Sequence, residues 1–116
     1  MASESVTALE NHPRHNLDGL LTHGVRLSIV AALSSVDKAE FGAVRDLVQI
    51  NDVTLSKQMA MLEAAGYLDV SKGRVGRRPR TWLHLTPLGR EVLSRHLDAL
   101  QSIASSPPPR SADHEA

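Results

Sequence analysis

The sequence predicts a mainly α-helical α+β domain, in which helices precede a small β-hairpin and one long helix closes the fold. Three observations carry this. Apolar residues between 25 and 65 recur at helical spacing. The pattern then switches to strict alternation around Leu68, Val70, Leu83 and Leu85. Thr86-Pro87 opens a last apolar-striped segment with a capping residue followed by a proline in the first helical position.

The elements follow in order. Leu17, Leu20 and Leu21 form one short turn, and Gly24 marks a break before a longer helix carrying Val25, Ile29, Val30 and Leu33. A second helix, about Glu40 to Val48, sets Phe41, Val44, Leu47 and Val48 on one face. Ile50-Asn51-Asp52 makes a turn, with Asn51 or Asp52 as N-cap of a third helix that runs to about Ala65. On a wheel of about 100° per residue, Leu55, Met59 and Leu62 share its buried stripe. Thr54, Lys57, Gln58 and Met61 share a different, acid-free face, with Ser56 lying off it. Gly66 ends the helix. Two short strands follow, joined by the loop KGRVGRRPR, in which Gly73 and Gly76 allow tight turning and Pro79 stiffens the return. The last helix runs from Pro87 to about Ala104. The short connection between the second and third helices is that of a helix-turn-helix. A hairpin directly after the third helix is a wing, so the architecture is a winged helix.

Domain organisation is simple. A chain of 116 residues with 41% apolar content supports one core. Residues 1–16 are expected to be a flexible tail, 17–104 the folded unit, and 105–116 (SSPPPRSADHEA) a disordered proline-rich tail. The absence of cysteine excludes disulfides, thiolate zinc sites and thiol catalysis. No apolar run suggests a signal or membrane span, so a cytoplasmic protein is expected. No phosphate-cradling glycine motif or Ser-His-Asp signature is present, and an enzyme is not expected. His12, His15 and His23 are dispersed, without a metal-ligand pattern, so neither metal nor cofactor is expected.

Charge is where the candidate function shows. Thirteen Lys and Arg balance thirteen Asp and Glu, and neutrality by itself speaks against a polyanion partner. Split by segment, residues 53–90 hold seven basic and two acidic residues, so the rest carries the compensating acid. Lys72, Arg74, Arg77, Arg78 and Arg80 stand in the wing without an acid among them, as a set that would hold phosphates or enter a minor groove. The alternative is a solvated loop in an arginine-rich chain. The third helix would read the major groove, with Gln58 on adenine, Lys57 on guanine, and Thr54 and Ser56 on phosphates. Arg26 is open between an ion pair within the fold and a phosphate contact. Arg90 is expected to be structural or solvated.

The segments HGVRLSIVAAL, LSKQMAMLEAAGYLDV and KGRVGRRPRTWLHLTPLGREVL resemble small bacterial winged-helix transcriptional regulators related to the MarR and ArsR groups. The resemblance spans His23 to Leu100 and implies a homodimeric DNA-binding regulator. Related ArsR-like sequences often place His where Gln58 stands here, so base preference does not carry over.

The last helix suggests a second copy. Leu88, Val92, Leu93, Leu97, Leu100, Ile103 and Ala104 fill about half its circumference, more than one protomer's core requires. The expected dimer interface comprises Leu17, Leu20, Leu21, Leu93, His96, Leu97, Leu100 and Ile103, with His96 as an interface residue rather than a pH switch. A monomer whose first helices cover the stripe is the alternative. The expected partner is double-stranded DNA carrying a palindromic operator. A protein-interaction module and a ligand- or metal-gated sensor are the competing functions.

Overall fold

The computed structural model describes residues 11–109. Four helices surround one face of a three-stranded antiparallel sheet: α1 (Gly24–Ser34), β1 (Ala39–Glu40), α2 (Phe41–Val48), α3 (Asp52–Ala64), β2 (Leu68–Val75), β3 (Arg78–Leu85) and α4 (Pro87–Ala104). The strand order is β1-β3-β2. Leu21, Ile29, Val30, Leu33, Val44, Leu55, Leu62, Leu68, Leu83, Leu85, Val92 and Leu93 form one contiguous core. Most residues expected to be apolar and inward therefore are, and the expected α+β winged helix is the observed architecture.

The caps explain the boundaries. Asn51 Oδ1 accepts the Thr54 N–H at 2.8 Å and starts α3. At the other end, Tyr67 N donates to Leu62 O and Gly66 N to Glu63 O, the paired bonds of a Schellman motif closed by Gly66. The same pair of bonds ends α2, where Ile50 N donates to Arg45 O and Gln49 N to Asp46 O. There the left-handed position is held by Gln49 (φ 62°), a conformation that costs a side-chain-bearing residue of this kind about 1 kcal/mol. Three residues, Gln49 to Asn51, thus separate the two helices of the helix-turn-helix.

Four expectations need correction. Glu40 does not begin the second helix; with Ala39 it forms the edge strand β1, pairing with Leu83 and Trp82. A 3-10 helix at Pro13–Asn16 stands inside the segment expected to be a flexible tail. Residues 1–10 and 110–116, which make up most of the expected tails, lie outside the described residues. KGRVGRRPR is not a loop. The strands run on to Val75 and from Arg78, leaving Gly76-Arg77 as a two-residue turn. Positive φ at Gly76 alone (64°) matches a type II′ hairpin, whose twist suits the flanking strands. Gly73, expected to turn the chain, sits in β2 opposite Arg80, near the Trp82 indole. Pro79 lies where β3 has no neighbour on its outer side, a position that tolerates a missing N–H.

The fourth correction concerns the dimer residues. Leu21, Leu93 and His96 are buried inside the protomer, with His96 only 1% exposed. The Asp18 N–H donates to His96 Nδ1 at 2.9 Å. The Asp18 carboxylate accepts from Tyr67 Oη at 2.6 Å and from the amides of Leu20 and Leu21. This polar knot ties the N-terminal segment to the residue before β2 and to α4, and it gives Nδ1 of the buried histidine a partner within the protomer.

Thr86 joins the halves. Its Oγ1 accepts from Gly89 N at 2.9 Å and donates to Gly66 O at 2.6 Å, so one hydroxyl caps α4 and closes the end of α3. Gly89 packs directly against the Tyr67 backbone, where a Cβ would overlap the Tyr67 carbonyl oxygen. Arg90 then donates to the carbonyls of Ser34 and Val36, holding the C-terminal end of α1. The structural reading of Arg90 is the one observed.

Two consequences are measurable. Gly89→Ala should lower unfolding stability by about 3 kcal/mol in urea, although Ala is the better helix former, because backbone must move to admit the methyl. The hydrogen bond to Asp18, reinforced by burial, pushes the Tyr67 phenol up to about 12. A raised pKa stabilises the fold fully below the unfolded value of 10.0, and that contribution is lost as pH rises through about 12. Tyr67→Phe should therefore cost about 1.5 kcal/mol at neutral pH and remove the alkaline step from the wild-type stability profile.

Candidate nucleic-acid interface

The presented face of α3 differs from the predicted one. Val53, Ser56, Lys57, Ala60 and Met61 are exposed, and Thr54 is half-buried. Gln58 is a correction: it is buried at 7% exposure, and its Oε1 accepts from Arg26 Nη1 at 2.9 Å. Arg26 Nε also donates to Leu20 O at 2.7 Å, so this guanidinium braces α3 against the turn before α1. Met61 Sδ lies 3.6 Å from the same Nη1. The internal ion pair expected for Arg26 is not formed among the described residues: its partners are a neutral amide, a carbonyl and a thioether. Gln58 therefore serves as an internal acceptor, not as a reader of adenine. The clue was in the spacing, since Leu55, Gln58 and Leu62 follow the i, i+3, i+7 rhythm of a buried stripe. Met59, expected there, is only half-buried.

The acids at the N-terminal end of α3 are paired locally, while Glu63 in its last turn is exposed. Arg45 Nη1 stands 2.9 Å from Asp52 Oδ1, and its Nε stands 2.9 Å from Asp46 Oδ1. The Arg45 guanidinium holds the Asp46 carboxyl below the usual carboxylate range, chiefly by that hydrogen bond. The two carboxylates raise the pKa of Arg45 in turn. Asp52 thus favours the positive end of the helix dipole while its charge is offset for an approaching polyanion.

The wing is a two-stranded ribbon exposed from Ser71 to Pro79. Its register pairs Lys72 with Thr81, Arg74 with Pro79, Gly73 with Arg80 and Val75 with Arg78. Residues paired across strands share a face. Lys72 and Arg74 therefore continue the core-side face beyond the body, Arg78 and Arg80 lie on the outer face, and Arg77 sits in the turn. Arg74 Nη1 donates to Arg77 O at 3.3 Å across that turn. Among the described residues, Lys72, Arg74, Arg77 and Arg78 have no carboxylate within ion-pair distance, whereas Arg80 Nε lies 3.1 Å from Glu40 Oε1. That contact is an ion pair off the N–H axis, so it is electrostatic rather than a formed hydrogen bond. Arg80 therefore belongs to the root of the wing, and the other four cations form its free set. Lys38, which the sequence did not single out, places Nζ 4.6 Å from the centroid of the Trp82 ring at the same root.

On α4, Leu97 and Leu100 are exposed and Ile103 is half-buried, forming a stripe on the second half of the helix. Leu17 and Leu20 are half-buried. Among the described residues, no group of three or more His, Asp or Glu side chains is placed to hold a metal ion, and no helix is long and apolar enough to cross a membrane.

A helix-turn-helix followed by a cationic ribbon and a long closing helix matches the family model described as a winged helix DNA-binding domain, over residues 25–104. The chain belongs to that family. Among solved structures, it is similar to a transcriptional regulator homologue from Pyrococcus horikoshii OT3, with 28% identity over 73% of this chain and 84% of that one and a TM-score of 0.69. It shares the fold of a putative MarR-family transcriptional regulator from Porphyromonas gingivalis W83, at 18% identity over 76% and 85% of the two chains, TM-score 0.61. The PcaV transcriptional regulator from Streptomyces coelicolor, solved with its natural ligand, also shares it, at 19% identity over 97% and 81%, TM-score 0.63. Among curated proteins, none matches this sequence. The winged-helix protein is accordingly a transcriptional regulator and not an enzyme.

The corrected role of Gln58 is testable. Gln58→Ala should reduce stability by about 1.5 kcal/mol, because a half-buried guanidinium loses an acceptor. It should leave the preferred duplex sequence unchanged, as read by selection from a random pool with each protein.

Proposed function

We propose that this winged-helix regulator binds double-stranded DNA sequence-specifically as a homodimer, with α3 in the major groove and the wing on phosphates or in the minor groove. One observation carries the reading: Lys72, Arg74, Arg77 and Arg78 project from a protruding ribbon next to α3 without carboxylate partners among the described residues. Uncompensated guanidinium groups repel one another, and a polyanion relieves that repulsion. Thr54, Ser56, Lys57 and Met61 remain the residues of α3 proposed to meet the duplex; Arg80 supports the wing through Glu40.

The dimer is supported by the Leu97, Leu100 and Ile103 stripe, with Leu17 and Leu20 as contributors, in place of the larger set expected from the sequence. Twofold symmetry would present two α3 helices to half-sites about one DNA turn apart, so the operator is a palindrome. The overall neutral charge limits non-specific attraction, which leaves specific contacts and dimerisation to supply much of the affinity.

The test is a salt titration on duplex selected from a random pool. The log Kd–log salt slope should reflect about 0.9 per phosphate neutralised, and Arg77→Ala with Arg78→Ala should flatten it by about 2 per protomer. Affinity should fall on all duplexes alike, and the wild-type selection should return a palindromic consensus. Retained affinity of the double variant at physiological salt would refute the role of the wing.

A further inference from the structure

Resting on the DNA-binding reading above, we infer that Val53 is a specificity-determining residue that reads the methyl group of a thymine in each half-site. Val53 is 77% exposed, the most exposed large hydrophobic side chain among the described residues. It occupies the second position of α3, where a recognition helix meets base edges. Ser56, Lys57 and Ala60 follow at i+3, i+4 and i+7, and all are exposed, so the four form one continuous face, with Glu63 one turn beyond Ala60.

The neighbours of Val53 are already engaged. The Asn51 side chain is occupied by the Thr54 amide, Asp52 is held by Arg45, and Gln58 is buried against Arg26. Val53 is thus the side chain that the first turn of α3 offers outward. The fold gains little from it there: valine is a middling helix former, and at this exposure it buries almost nothing. A major groove presents one apolar group on its base edges, the C5-methyl of thymine, and small apolar side chains recognise it by contact. Lys57, one turn further on, reaches the acceptors of guanine. Four residues of helix span about 6 Å, so the thymine should lie within about two base pairs of that guanine.

Uracil isolates the claim, because it keeps every hydrogen-bonding group of thymine and lacks only the methyl. Each thymine of the duplex selected by the wild-type protein would be replaced by uracil in turn, and Kd measured by fluorescence anisotropy at fixed salt. One thymine per half-site should respond, with binding weakened about fourfold, the affinity equivalent of one methyl withdrawn from contact. Val53→Ala, which removes the contact from both protomers, should bind the thymine duplex about as weakly as the wild type binds a duplex carrying uracil at that position in both half-sites, and should show no further loss with uracil. Its thermal unfolding should match the wild type, since the side chain is exposed. A consensus without thymine beside the guanine, a wild-type protein indifferent to every uracil, or an undiminished uracil effect in Val53→Ala would overturn the inference while leaving DNA binding intact. A pool from which no duplex is retained would remove the DNA-binding reading, and this inference with it.

Discussion

The junction at Gly66 and Tyr67 sets the position of every surface this regulator presents. Three elements meet there within a few residues: α3 ends, β2 begins, and the first turn of α4 lies against the same backbone. Thr86 bonds to Gly66 O and to the Gly89 amide, and the absent side chain of Gly89 lets α4 approach the Tyr67 carbonyl. The Tyr67 phenol meanwhile anchors Asp18, which in turn engages His96. The junction of α3 with the ribbon and the start of α4 therefore share one close backbone contact. Packed interiors do not deform gradually, so a disturbance here is felt at both the wing and the closing helix.

Electrostatics follow a similar economy. Arg45 offsets Asp46 and Asp52 beside α3, and Glu40 occupies Arg80 at the ribbon root. Surface pairs of this kind contribute little to stability. Their larger effect is on the surface field: the acids at the start of α3 are offset, and the ribbon cations beyond Arg80 are left without a partner among the described residues. The formal charge of zero conceals this arrangement, because it sums a cationic edge with an acidic remainder.

Periodicity and caps made most of the fold legible in the sequence. Asn51 and Thr86 act as the expected caps, Gly66 ends α3, and the alternation at Leu68, Val70, Leu83 and Leu85 marks the strands. What could not be read depends on contacts between distant segments. Gln58 looks like a surface reader until Arg26, thirty-two positions earlier, is found against it. His96 and Leu93 lie on a stripe suited to a dimer, and only the placement of Asp18 and the core shows that the protomer uses them itself. The wing reads as a loop in the sequence because Gly and Pro are usual signs of irregular chain, whereas Gly76 serves a two-residue turn and Pro79 an open edge. The exposure of Val53 is equally illegible, because an apolar residue at the start of a helix reads as core.

Trp82 is the only tryptophan of the chain, and it sits where β3 passes from body to ribbon, under Lys38 and beside Gly73. An indole's emission responds to a nearby ammonium and to local hydration. The protein thus carries an intrinsic optical probe at the base of its cationic arm, able to report bending of that arm without any added label.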